Sequence, residues 1–316
     1  MKVVITDHGF KSVDPVRAIL AAAPAELVIA QCQTPEQVMA VAAEADALFV
    51  QWAPVNAAVI SKLRHCKIIV RCGIGVDNVD LDAAKARDIP VCNVPDYCIN
   101  EVADHTLALA LALARQLPQI DRRLRGETWK IVPDHPMPAF REMVFATAGF
   151  GRIARMVLER ARGFQFRVAA YDPFVHDEAF QKAGVQQLSL DELFQQSDVL
   201  SLHSPLTPQT KHLVSATRLA QMKPTAIVVN TARGGLIDTS ALADALRAGR
   251  IAGAGIDVFE TEPLRVDHPV RKAPNTLLTS HVAWYSEASV PQLQRLAAEE
   301  VVRGLRDQPL RNQVNQ

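Results

Sequence analysis

Val144-Phe145-Ala146-Thr147-Ala148, running directly into Gly149-Phe150-Gly151-Arg152-Ile153-Ala154, is the stretch on which the reading of this chain turns. The first five residues are apolar and β-prone and read as a short buried strand. Behind the glycines, apolar residues at Ile153, Ala154, Val157, Leu158 and Ala161 fall on one face of a helix. A G-x-G-x-x-A run alone is a weak signal, but between a strand and a helix it reads as the turn that cradles a dinucleotide. Gly149 permits the tight bend. Gly151 lets a pyrophosphate approach the backbone N–H groups of Phe150, Arg152 and Ile153 at the helix N-terminus, and Ala154 keeps helix and sheet close. The next strand ends in Tyr171-Asp172-Pro173, with Asp172 21 residues after Gly151. A carboxylate there grips ribose hydroxyls and repels a 2′-phosphate, which predicts NAD(H) rather than NADP(H).

Outward from this turn, β-branched runs alternate with helical patterns along the whole chain. Downstream, 168–171, 199–203, 227–230, 254–258 and 277–279 complete, with 144–148, six strands joined by five crossovers. Upstream, strands at 3–6, 27–30, 47–51, 68–71 and 91–93 alternate with helices near 16–23, 36–45, 59–64 and 81–87. Apolar strands separated by helices predict parallel sheets covered on both faces. The expected fold is therefore α/β, with two doubly wound parallel-sheet domains of Rossmann or flavodoxin-like type. Between them the rhythm breaks. From Asn100 to about Leu124 one long helix is predicted, centred on Leu107-Ala108-Leu109-Ala110-Leu111-Ala112-Leu113-Ala114. A helix apolar on nearly every face must be buried on nearly every face. A second copy of the chain, or the domain's own interior, has to cover it, and the dimer is the expectation here. Trp129, Pro133, Pro136 and Pro138 follow as linker chemistry, and a last helix from Ser286 to about Arg306 is long enough to return to the first domain.

Composition removes several function classes. The 316 residues are 49% hydrophobic and 22% charged, which excludes a disordered chain. Lys+Arg and Asp+Glu balance at 34 each, so no net field draws the protein to nucleic acid or anionic lipid. Cys32, Cys66, Cys72, Cys92 and Cys98 are odd in number and form no C-x-x-C pair. They read as buried thiols of a reducing compartment, not as a zinc site or a disulfide framework. No histidine spacing suggests a metal. The N-terminus turns polar within a few residues, and the most apolar stretch, 107–114, is far short of the roughly twenty residues a bilayer requires. A cytoplasmic protein with no membrane span is expected.

Ligands of open α/β sheets bind at the carboxyl ends of the strands. Three successive ends carry Thr231-Ala232-Arg233, Phe259-Glu260-Thr261-Glu262 and Ser280-His281-Val282-Ala283-Trp284. Arg233, Glu262 and His281 suit redox chemistry at a carbonyl. A ketone that receives a hydride becomes an alkoxide and needs a proton, which a histidine supplies near neutral pH. A carboxylate beside the ring orients it and favours its protonated form. An arginine pairs with a substrate carboxylate and polarises the neighbouring carbonyl.

These residues resemble the NAD-dependent D-isomer-specific 2-hydroxyacid dehydrogenase family, which includes phosphoglycerate, glycerate and D-lactate dehydrogenases. The resemblance covers nearly the whole chain. It includes Arg71-Cys72-Gly73-Ile74-Gly75-Val76-Asp77, Val91-Cys92-Asn93-Val94-Pro95, Asn230-Thr231-Ala232-Arg233-Gly234-Gly235 and Asp257-Val258-Phe259-Glu260-Thr261-Glu262-Pro263. His281-Val282-Ala283-Trp284-Tyr285-Ser286-Glu287 is most similar to the C-terminal-binding-protein branch of the family. The resemblance implies a substrate domain of residues 1–99 plus 287–316, an NAD-binding domain of 100–286, and a homodimer built on helix 100–124. It implies that the N–H groups of Ile74 and Gly75 bind a substrate carboxylate with Arg233, that Arg71 assists, and that Trp284 walls the side-chain pocket. It also sets Thr231, Ala232, Asp257, His281 and His203-Ser204-Pro205 beside the cofactor. One departure is that Glu142 and Ala146 stand where glycines are common, which predicts a weaker grip on the cofactor. Trp284 and Tyr285 favour an apolar or thioether substrate side chain over a phosphate, and feedback control by an appended domain is not expected. A second reading is an NAD(H)-responsive dimeric binding protein of corepressor type with weak dehydrogenase activity. Retention of Arg233, Glu262 and His281 together favours the enzyme.

Overall fold

The structure, a computed structural model, describes every residue except Glu127 and Asp134. The chain forms two units, Met1–Cys98 with Tyr285–Gln316, and Ile99–Trp284.

In the first unit β1 (Lys2–Ile5), α1 (Asp14–Leu20), β2 (Glu26–Ile29), α2 (Pro35–Ala42), β3 (Ala47–Val50), α3 (Ala57–Lys62), β4 (Ile68–Arg71), α4 (Leu81–Lys85) and β5 (Val91–Cys92) follow in turn. The strands lie parallel in the order β2-β1-β3-β4-β5. Register is set by pairs such as Val4 with Val28 on one side and Leu48 on the other. β3 is buried along its whole length, as a strand covered on both faces must be. Helix starts are fixed locally: Thr34 and Gln37 form a capping box on α2, while Asn56 and Asp80 cap α3 and α4. The C-terminal helix, Ser289–Leu305, packs on α1, β3 and β4 and completes this unit.

The second unit opens with α5 (Ile99–Ala114) and α6 (Leu117–Arg125). Then come β6 (Val144–Ala148), α7 (Arg152–Gly163), β7 (Arg167–Tyr171), α8 (Asp177–Ala183), β8 (Gln186–Gln187), α9 (Leu190–Gln196) and β9 (Val199–Leu202). α10 (Ala216–Leu219), β10 (Ile227–Asn230), α11 (Thr239–Arg247), β11 (Gly253–Ile256) and β12 (Thr276–Leu278) close it. The sheet has seven strands, all parallel, in the order β12-β11-β10-β9-β6-β7-β8. The strand order reverses between β6 and β9, the switch point at which such sheets bind ligands. β8 is the strand missing from the sequence reading. Its two residues are glutamines, both exposed, so no apolar pattern marks it.

The predicted single helix 100–124 is two helices. Gln116 takes a left-handed φ of 52° and Pro118 stands in the first turn of α6. A continuous helix would set the Pro118 ring against the carbonyl of Ala114, so the chain breaks and restarts. α5 is covered by its own unit, packing on α7, β10 and β11. α6 buries no residue and leaves Leu117 55% and Leu124 52% exposed. The apolar surface left for a partner is thus on α6 and the loop beyond it, not on the alanine-leucine centre of α5. Among the described residues, no helix is long and apolar enough to cross a membrane. All five cysteines are free thiols, and burial pushes those of Cys66 and Cys92 up to about 12.

Candidate active site

The turn after β6 is a place where only glycine fits. Gly149 has φ +101°, and a Cβ there would lie 2.8 Å from the carbonyl oxygen of His203. Its N–H donates to the Tyr171 carbonyl at 2.7 Å. Phe150 turns its ring inward, stacked on Phe180 at 4.4 Å with the Arg155 guanidinium 4.0 Å over it, so only its backbone faces the turn. Gly151 is the N-cap of α7, with no side chain capping the helix and nothing within 4 Å of where its Cβ would stand. The first-turn N–H groups, including those of exposed Arg152 and half-buried Ile153, thus open onto space an anion can enter.

At the end of β7, Asp172 accepts the Phe150 N–H at 2.9 Å and the Phe174 N–H at 3.0 Å. It edges a cavity of about 580 Å³ that Tyr171, Pro173, His176, Gln187 and Ser189 also line. Behind the turn, the His203 imidazole bonds Ser201 Oγ at 2.8 Å, and burial pushes its pKa down to about 3, so it stays neutral. Ser204 Oγ donates to the Ala148 carbonyl, and Pro205 is exposed beyond it.

The three candidate reacting groups, Arg233, Glu262 and His281, sit on loops after β10, β11 and β12. Buried Asn230 folds the first loop onto itself, accepting the Ala232 N–H at 3.0 Å and donating to the Arg233 carbonyl at 2.9 Å. A Cβ on Gly234 would fall 1.9 Å from the Phe259 carbonyl carbon, so the arginine loop lies directly against the glutamate loop. There the Phe259 N–H donates to Glu262 Oε1 at 2.9 Å, and Glu262 Oε2 meets His281 Nδ1 at 2.7 Å. Nδ1–H therefore points at the carboxylate, leaving Nε2 for proton exchange. Burial alone would raise the Glu262 carboxyl. The His281 hydrogen bond and charge, the Phe259 N–H and the Arg233 charge outweigh it and hold the group below the usual carboxylate value.

His281 has a left-handed φ of 54°, a conformation a non-glycine residue keeps only where its surroundings enforce it. Its N–H donates to the Asp257 carbonyl at 2.7 Å, and its own carbonyl accepts Trp284 Nε1–H at 2.9 Å. Asp257, which the family resemblance sets against the cofactor, has a fully buried side chain. Its oxygens accept the N–H groups of Val282 and Ala283 at 3.0 Å each and the Thr279 hydroxyl at 2.5 Å. It builds the histidine turn. Likewise the Thr231 hydroxyl is turned onto Thr106 of α5 at 2.8 Å.

In the first unit, Arg71, Ile74 and Gly75 lie at the carboxyl end of β4. Asn93 Nδ2 donates to the Ile74 carbonyl at 2.6 Å and the Val94 N–H to the Gly73 carbonyl at 2.9 Å, which shapes that loop. Sequence reading missed three polar supports: Thr279, Thr106, and a second histidine–glutamate pair, His212 Nε2 to Glu260 Oε1 at 2.6 Å. Their partners are 22, 125 and 48 residues away, so no local pattern announces them.

A family-level sequence model described as "D-isomer specific 2-hydroxyacid dehydrogenase, NAD binding domain" matches residues 107–283. The chain belongs to the D-isomer specific 2-hydroxyacid dehydrogenase family. It is 41% identical over 272 residues to D-3-phosphoglycerate dehydrogenase of Mycobacterium tuberculosis, covering 86% of this chain and 50% of that protein. The chain thus spans about half the length of the curated phosphoglycerate dehydrogenases it matches. Glyoxylate reductase of Korarchaeum cryptofilum is 37% identical over 267 residues, which cover 83% of this chain and 80% of that one. D-lactate dehydrogenase of Aquifex aeolicus, solved with NAD and lactic acid, superposes with a TM-score of 0.87 at 27% identity over 96% of each chain.

The nucleotide side of the second unit has room and chemistry for the cofactor of this family. The open space at Gly151, the uncapped N-terminus of α7 and the Asp172 carboxylate beside its cavity fit a pyrophosphate and an adenosine ribose in sequence. NAD is the cofactor of this family domain.

Proposed function

We propose that the protein is an NAD-dependent oxidoreductase that interconverts a small D-2-hydroxy acid and its 2-oxo acid. The observation that carries this reading is the 2.7 Å Glu262–His281 pair on a loop pressed against the arginine loop. Bound NAD(H) supplies the hydride acceptor or donor. The chain does the rest. Gly151 and the N–H groups of Arg152 and Ile153 hold the pyrophosphate, Phe150 gives its N–H to Asp172 instead, and Asp172 holds the ribose, disfavouring a 2′-phosphate. In the reducing direction His281 Nε2–H gives its proton to the substrate oxygen as the carbon gains a hydride, and in the oxidising direction the ring takes that proton back. Ionised Glu262 stabilises the imidazolium that carries the proton. The Arg233 fork pairs with the substrate carboxylate and draws electron density from the adjacent carbonyl. In the first unit the N–H groups of Ile74 and Gly75, with Arg71, are the candidate carboxylate donors, and in the second Trp284 is the candidate wall of the side-chain pocket.

The test is NADH consumption with glyoxylate, hydroxypyruvate, pyruvate and 4-methylthio-2-oxobutyrate, together with NAD reduction by D-3-phosphoglycerate. Turnover of at least one is expected. Tight NADH binding with no turnover of any would overturn the enzyme and leave a cofactor-responsive binding protein.

The working unit in this reading is a homodimer in the reducing cytoplasm, where five free thiols persist. Leu117, Leu124, Trp129, Ile131 and Val132 are all exposed, Ile131 by 87%, a cluster of apolar side chains that a second copy would cover. Sedimentation at micromolar concentration should give twice the mass of one chain; a species of one chain's mass alone would exclude the dimer.

A further inference from the structure

The histidine turn is supported from a helix the reaction itself does not use. His105, on the N-terminal half of α5, sets its Nε2 3.0 Å from the Thr279 hydroxyl and 3.8 Å from Asp257 Oδ1. The Thr279 hydroxyl has one proton, and its shortest contact is the 2.5 Å one to the Asp257 carboxylate. It therefore donates there, since an ionised acceptor takes the stronger bond, and its lone pair accepts Nε2–H from His105. Asp257 in turn holds three consecutive N–H groups, His281 on its carbonyl and Val282 and Ala283 on its carboxylate. These bonds lock the left-handed backbone at His281. The neighbouring Thr106 bonds Thr231, two residues before Arg233, so two successive side chains of α5 reach the loops of both the histidine and the arginine.

We propose that His105 is a positioning residue that, through Thr279 and Asp257, holds the His281 turn in the geometry in which ring and Glu262 meet. This rests on the reading of His281 as the proton-transfer group, so its test includes a measurement that needs no turnover. In the full chain, His105→Phe keeps the ring volume and removes the donor, His105→Gln keeps an N–H at similar reach, and Thr279→Val removes the hydroxyl at constant shape.

Hydrogen exchange of the segment 279–285 in the cofactor-free protein should speed up by about tenfold in His105→Phe and Thr279→Val. It should return close to the wild-type rate in His105→Gln. With the best 2-oxo acid, kcat should fall about tenfold in His105→Phe, the scale of losing a contact behind a reacting group, and recover in His105→Gln. NADH affinity should stay unchanged. The double variant His105→Phe/Thr279→Val should be no slower than Thr279→Val, because both act through one hydroxyl. Unchanged exchange in His105→Phe overturns the proposal whatever the kinetics, as does a loss of kcat that glutamine does not restore or that adds fully to Thr279→Val. Faster exchange in a protein that reduces no 2-oxo acid would leave the positioning role standing and remove the dehydrogenase reading.

Discussion

At the turn after β6 the chain bends because of what it lacks; at the turn after β12 it bends because of what holds it. Gly149 adopts φ +101° with no side chain to oppose it, and the His203 carbonyl fills the place where one would be. His281 adopts φ +54° with a full imidazole, and it stays there because a buried aspartate 24 positions earlier takes its N–H and the next two. The first turn needs glycine for its φ, and two contacts at the end of β7, the Tyr171 carbonyl and the Asp172 carboxylate, then tie it down. The second is held by tertiary contacts that come from β11, β12 and α5. A turn of the first kind is decided mainly at one position, whereas a turn of the second kind is sensitive to side chains on several elements.

Three substitutions probe this contrast. The largest expected effect is His281→Ala, which removes the proton carrier and should lower kcat by about 10²–10⁴-fold with NADH affinity kept; a loss under threefold would assign the proton to another group. Next is Gly149→Ala, which meets both a forbidden φ and a backbone contact at 2.8 Å. It should lower stability by about 1–3 kcal/mol and weaken NADH binding, seen as a lower melting temperature and a raised Kd. A variant that melts and binds like the parent would show that the turn is less confined than its contacts require. Smallest is the roughly tenfold effect of His105→Phe, which reaches the chemistry only through two other side chains. If that last effect exceeded that of His281→Ala, the assignment of roles along the chain of contacts would be reversed.

Much of this was legible without coordinates. Strand and helix alternation follows from apolar periodicity, which is local, and the six longer strands of the second unit lie within two residues of their expected ends. The glutamine strand β8 escaped because a two-residue edge strand buries nothing that would mark it. The predicted long helix failed for the opposite reason. Its apolar centre reads as continuous, but Pro118 and a left-handed Gln116 divide it. The same break moved the exposed apolar surface from α5 to α6 and the loop after it. Nothing local in the sequence marks His105; only its partner at position 279 gives it a place behind the histidine turn.

Residue order alone determined the class of fold and singled out the glycine turn, Arg233, Glu262 and His281 as candidates, because those signals are local in the chain. Folding settled that Asp257 serves the backbone of the histidine loop and that α5 stands behind both loops. Those outcomes depend on hydrogen bonds between groups far apart along the chain, and such bonds have no signature until packing brings donor and acceptor within about 3 Å.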